Sequence, residues 1–274
     1  MRWLPVARKE LRALWGDRTV KAGTALVALG FVFVGYALPT SVPEPTMTDY
    51  DASIRELLLF VVPLFGLLLS YRAVVGERTS GRLTLVLSFP HSRGDVVLGK
   101  AAGRGVIFAG TTIVGVLLGA ALVAYPFGTV DPATLVTYLG ATLLFGGAYL
   151  AIGLALSTLT ASLRRATVLT FGVFFLFAVA WPQLDGLLLQ ALAYLDLAEE
   201  TLPDWARFLH GAEPGMLYRR VLDTYVATAA SGASGVSGVE SPWYLDGWVA
   251  VGLLHAWVVG PTLAGYLRFR GSDL

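Results

Sequence analysis

An all-α integral membrane protein with six transmembrane helices is the fold class that the sequence predicts, on its paucity of charge, its apolar windows and the placing of its Arg and Lys. Only 14% of the 274 residues are charged and 55% are hydrophobic, where an average soluble domain carries about 25% charged residues. So few charges cannot cover a water-soluble body of this size. The excess apolar surface must face lipid.

A membrane helix needs about 20 mostly apolar residues. Six windows qualify, at 20–38, 57–75, 101–125, 135–160, 166–189 and 243–267. Segments 1–21, 72–104, 164–165 and 268–274 hold 16 of the 20 basic residues and 5 of the 19 acids, a net charge of +11. The rest of the chain holds Arg55, Arg207, Arg219 and Arg220 against 14 acids, a net charge of −10. Six crossings separate these populations and five or seven would mix them. The positive-inside rule then places both termini in the cytoplasm. The whole chain, 1–274, reads as a single transmembrane domain.

The first apolar run begins behind a charged segment and ends on no small-residue cleavage site, so no signal peptide is expected. With no cysteine, thiol catalysis, disulfides and cysteine-ligated metals are excluded, and the redox compartment stays open. Windows three and four are rich in small residues, with Gly115, Gly119, Ala120 and Ala121 in one and Gly146, Gly147, Ala151 and Gly153 in the other. Such residues let helices approach closely, and Gly is also simply common in membrane helices.

Residues 1–19 carry an amphipathic pattern. Leu4, Ala7, Leu11 and Leu14 share one helical face, and Arg8, Lys9, Glu10 and Arg12 occupy the others. With Trp3 and Trp15 beside the headgroups, this predicts a helix lying in the inner interface, which also serves as an anchor for the first span. Outside, residues 39–56 are rich in Pro and acids. The long loop 190–242 places Leu192, Tyr194, Leu195, Leu202, Trp205, Phe208 and Leu209 at helical spacing, which suggests short amphipathic helices at the outer surface. Its stretch 231–238 reads as a Gly/Ser linker.

The inner loop 76–100 is the most informative segment. Six basic residues from Arg72 to Arg104 surround the apolar Leu83, Leu85, Val86 and Leu87. Pro90 breaks the helix and Ser92 is placed to cap the next one. A solvated loop has no need of exposed leucines, so this one is built to press on a protein or to bury in the interface. Arg104, near the start of span three, is expected to snorkel to the inner surface.

The order Glu77, Arg78, Gly81, Leu83, Leu87, Ser88, Pro90, Ser92, Arg93, Gly99, Lys100 resembles the loop between helices two and three of ABC-2 class ABC transporter permeases. The opening Ala7–Arg12 resembles that family's first helix. Glu213-Pro-Gly-Met-Leu-Tyr-Arg219 resembles its N-P-x-x-x-Y-R outer element, with Glu213 where Asn is common. The resemblance implies the transmembrane subunit of an ATP-driven transporter, mainly an exporter, at the plasma membrane. It implies a dimer with a second permease copy, identical or related, and a cytoplasmic ABC ATPase subunit on each half. ATP and Mg would be bound by that partner, with no cofactor in this chain and no nucleic acid among its partners. A coupling helix at about 77–89 would sit in a cleft of the ATPase, through Glu77, Arg78, Gly81, Leu83, Leu85, Leu87, Pro90 and Arg93. The N-terminal helix, with Arg8, Lys9, Glu10 and Arg12, would make a second contact.

Residues 94–101 nearly match a phosphate loop, but Ala101 replaces the hydroxyl that would hold magnesium, and a membrane span follows. His255, near the middle of the last span, reads either as a translocation-path or proton-linked residue or as a neutral ring bonded to a neighbouring helix. Asp185, after Pro182 in span five, marks either a gate or the helix's exit. Two alternatives stay open. A membrane-embedded enzyme would need converging ligands or a nucleophile, and His91, His210 and His255 fall inside, outside and in the membrane. A secondary transporter would place charges in the spans, which are nearly free of them.

Overall fold

A computed structural model of the chain describes residues 3–41, 47–88, 92–127, 131–195, 197, 201–227 and 242–271. Regular structure among these residues is entirely helical. Helix α1 (Leu4–Gly16) precedes the first long helix, α2 (Arg18–Ser41), and then α3 (Met47–Ser70). Two short helices follow, α4 (Val75–Thr79) and α5 (Arg82–Leu87). Helices α6 (Arg93–Phe127) and α7 (Pro132–Leu159) are long, and α8 (Leu163–Phe174) leads through a break into α9 (Leu184–Tyr194). Helices α10 (Asp204–Gly211) and α11 (Pro214–Leu222) come before the last, α12 (Gly247–Arg270). Among the described residues, six helical stretches are long and apolar enough to cross a membrane, and each overlaps one of the six predicted windows.

Helix α7 is central and packs against α3, α6 and α12. Its start is set by Pro132 at the first turn and by Asp131, whose carboxylate accepts the Thr134 N–H at 2.8 Å. Tyr149, Phe145 and Ala148 of α7 join Phe31, Tyr50, Leu58, Phe65 and Phe108 in the buried core. Helix α2 lies along α6. In α3 and α7, 67% of the apolar window is buried within the chain, against 17% in α2 and 11% in the α8–α9 span. The flanks of α2 and α8–α9 therefore face lipid or another chain. Of the small residues expected to allow close approach, Gly115, Gly119, Gly146 and Gly153 do so: a Cβ on Gly115 would meet the Phe31 ring at 2.6 Å, one on Gly119 the Phe31 carbonyl at 2.9 Å, one on Gly153 the Leu67 carbonyl at 3.1 Å, and one on Gly146 would run into the Phe108 ring.

Span five breaks where Pro182 predicts a kink. A π-helical turn at Phe175–Ala180 is followed by a 3-10 turn at Trp181–Gln183. Proline supplies no N–H and its ring crowds the preceding turn, so the α-helical ladder cannot run through.

One expectation needs correction, and two elements are placed more closely. Helix α1 packs along the first turns of α6. The single coupling helix at 77–89 is two helices, α4 and α5, separated by Gly81 at φ 71°. That left-handed conformation suits glycine and cannot continue a helix. In the long loop, helix α10 is amphipathic and exposes Trp205, and the helix after it, α11, sinks into the bundle and buries Leu217, Tyr218, Val221 and Leu222. The linker 231–238 lies outside the described residues, as do Pro90 and the side chain of Leu87.

Candidate coupling surface at the basic end

The fold gathers α1, the 71–88 loop, the start of α6 and the end of α12 at one end of the bundle, which is the basic end. Helix α3 stops at Ser70 and leaves carbonyls without helical partners. Arg104 of α6 donates Nη1 to one of them, the Leu69 carbonyl. The next helix, α4, has no side-chain cap of its own. Ser157 of α7 supplies it in trans, its Oγ accepting from the N–H of Val74 at 2.9 Å and of Val75 at 3.1 Å. The turn between α3 and α4 is therefore pinned by two other spans.

A buried ion cluster lies beside this turn. Lys100 Nζ is 2.7 Å from Glu10 Oε1 and 2.9 Å from Glu77 Oε2. Arg104 Nη2 is 2.7 Å from Glu10 Oε2, and Lys9 Nζ is 3.1 Å from Glu77 Oε1. Lys100 is only 1% exposed, and Glu10 and Arg104 are buried. The expectation that Arg104 snorkels is thus corrected: a carboxylate and an orphan carbonyl hold it inside. Glu10, grouped above with the polar residues of α1, is likewise buried. Glycines make this possible. A Cβ on Gly99 would meet Val6 Cβ at 2.6 Å, and one on Gly103 would meet Glu10 Cβ at 2.8 Å, so α1 comes close enough for a short carboxylate to reach Lys100.

Helix α5 has a seat and a face. Leu83 is buried with Ala73, Val74, Val96, Val97, Leu154 and Phe269. Leu85 points away and is 66% exposed. It borders an open cleft of about 550 Å³ between α1 and α5, lined by Pro5, Val6, Lys9, Glu77, Arg82, Leu85 and Val86. Arg93 donates to the Phe269 carbonyl at 2.6 Å and to the Arg270 carbonyl at 3.0 Å. Arg78 and Arg93 both lie over the Phe269 ring, at 5.7 and 5.4 Å. Ser92 caps α6, with its Oγ accepting the Asp95 N–H at 3.1 Å while Asp95 accepts from the Ser92 N–H at 2.9 Å. Residues 94–101, the phosphate-loop lookalike, are the first turns of α6 and form no loop.

The remaining candidates lie apart. Arg8 and Arg12 are exposed on α1. His255 does not reach a neighbouring helix: its ring is exposed, with Nδ1 2.8 Å from the Val251 carbonyl of its own helix. Asp185 is exposed at the start of α9, and its carboxylate accepts the Gly186 N–H at 2.7 Å. At the opposite, acidic end, Glu213 caps α11. It accepts the Met216 N–H at 2.9 Å and the Tyr149 hydroxyl at 2.8 Å. Burial pushes its carboxyl above the usual range, against the lowering effect of the bonds from Gly215, Tyr149 and Met216. Arg219 pairs bidentately with Glu56 at 2.6 and 2.8 Å. Arg55 bridges Asp51 and Asp223. These groups fix α11 to α3 and α7.

Sequence reasoning missed the Glu10–Lys100–Arg104–Glu77 cluster and Ser157. One signal was present. Glu10 falls at helical spacing from Val6, Ala7 and Leu14, inside an apolar stripe, and Lys100 and Arg104 are one turn apart at the mouth of a span. Nothing in the sequence marks Ser157.

The described residues form a membrane bundle of six long apolar helices with a structured, apolar-faced loop between the second and third. Residues 4–274 match the family of ABC-2 family transporter proteins, and the chain belongs to that family, as a transmembrane subunit of an ABC transporter. A probable ABC transporter permease protein NosY of Pseudomonas aeruginosa is 33% identical over 235 residues, covering 83% of this chain and 84% of that protein. The protein of the same description in Stutzerimonas stutzeri is 30% identical over 274 residues, covering 93% and 96%.

Proposed function

We propose that this chain is the permease half of an exporter in the plasma membrane, driven by a separate ABC ATPase that docks on the α1–α5 surface. In this reading the basic end is cytoplasmic and two permease copies, identical or related, form the pathway. The chain itself hydrolyses nothing. ATP and Mg belong to the partner, and closure of its two halves moves α5 between two positions. The observation that carries the reading is Leu85. It is exposed beside a cleft, on a helix whose opposite face is locked into the bundle by Leu83. A lone exposed leucine means little, but one on a rigid, basic-rimmed platform fits a partner's apolar pocket. Arg78 and Arg93 hold the platform to the end of α12, and Lys9 and Arg82 flank the cleft.

The test is to replace Leu85 and Leu87 by Asp and co-express the chain with the ATPase encoded beside it. Co-purified ATPase is expected to fall by about tenfold or more, as for loss of a central apolar anchor, with the membrane domain still folded. Unchanged co-purification refutes this docking surface.

A further inference from the structure

We propose that Lys100, clasped between Glu10 and Glu77, is the positioning residue that makes α1, the α4–α5 loop and α6 move as one body when a partner loads α5. The proposal rests on the docking reading above for its driving force, but the clasp itself is a property of this chain alone. Three segments far apart in sequence meet at one ammonium group. Its two carboxylate partners lie at 2.7 and 2.9 Å, one from α1 and one from α4. Arg104 takes the second oxygen of Glu10 at 2.7 Å and also bonds the Leu69 carbonyl, which adds the end of α3. Lys9 takes the other oxygen of Glu77 at 3.1 Å. Three cations thus share two carboxylates, with Lys100, Glu10 and Arg104 buried and Lys9 exposed at the rim.

Position and burial argue for a mechanical role. Lys100 is 1% exposed and cannot touch a docked partner. Glu77 stands at the cleft wall and Lys100 stands behind it, at the base of a membrane span. Ion pairs in a low dielectric resist separation, because pulling them apart leaves uncompensated charge. Displacement of α5 therefore reaches α6 and α1 through this bridge. The Gly99 and Gly103 notch keeps α1 in register while it does so. Apolar contacts alone would let these helices slide.

The chain contains no cysteine, so paired labels can be introduced directly. Spin labels at Ala13→Cys on α1 and Thr84→Cys on α5, both exposed sites, report the clasp in nanodiscs without any ATPase. Wild type and Lys100→Arg should give one narrow distance. Lys100→Met and Glu77→Gln should give broad ones. With the ATPase present, maleimide labelling of Gln183→Cys, beside the break in span five, reports the far end. Between nucleotide-free and ATP–vanadate states its rate should change by about tenfold. That difference in labelling rate should collapse in Lys100→Met, and Lys100→Arg should restore it. Glu77→Gln leaves the Glu10–Lys100–Arg104 bonds in place, so it decides the matter if Lys100→Met does not fold. Identical distance distributions in wild type, Lys100→Met and Glu77→Gln overturn the clasp. An ATPase that never binds the labelled wild-type chain overturns the docking reading instead and leaves the distance arm to judge the clasp.

Discussion

At the residue scale, two buried carboxylates have different partners. Glu10 is paired with Lys100 and Arg104. Glu10→Ala strips both cations of a partner inside the protein, and it should lower stability by about 3–5 kcal/mol. Thermal unfolding in detergent, followed by circular dichroism, measures this. Glu213 instead carries a carboxyl raised by burial. A raised pKa in the folded state means that folding favours the protonated form, so its contribution is complete below the ordinary carboxylate value and is lost as pH rises through the folded one. The midpoint of Glu213→Gln minus that of wild type should therefore grow as pH rises across that window, because glutamine carries no charge to desolvate: its carbonyl can accept the Met216 N–H while its amide donates to the Tyr149 hydroxyl. A difference independent of pH would contradict the assignment. The Glu for Asn exchange in this family element is thus legible only in part. Its position as a cap follows from the Pro214 behind it, but its burial against Tyr149 depends on how deep α11 sits.

At the element scale, the long helices were readable because lipid demands apolar runs of fixed length. The α4–α5 loop was readable as helical, and Gly81 between Ser80 and Arg82 was the unused sign of its division. Helix α1 was readable as amphipathic, but its wheel could not say whether the apolar face meets lipid or protein. The answer lies in the partner helix, in Gly99 and Gly103, four residues apart on α6. Gly103→Val should overpack this contact by about 1–3 kcal/mol and lift α1 from α6. Increased proteolysis within residues 4–16 of the variant, with the other helices intact, is the expected result. A protease pattern like that of wild type would show that the notch tolerates a larger side chain.

At the scale of the whole molecule, the separation of charge into two populations is matched by the packing. The basic segments meet around Lys100 and Phe269, and the acidic ones meet around Arg55 and Arg219. Sequence alone shows the tally, whereas the neighbours within each end come from tertiary contacts across many residues. Labelling tests the arrangement in cells. Arg82→Cys should react only after the membrane is made permeable, and Asp204→Cys should react from outside in intact cells. Reaction of both from the same side would contradict six crossings.

The cap on α4 has a consequence for biosynthesis. Val74 takes its support from a hydroxyl 83 residues later in the chain, and Arg78 and Arg93 rest on a ring two residues before the last described residue. A nascent polypeptide still on the ribosome has made α5 long before it has made either support. The α4–α5 surface therefore matures last, and in the docking reading proposed above only a fully inserted chain recruits the ATPase.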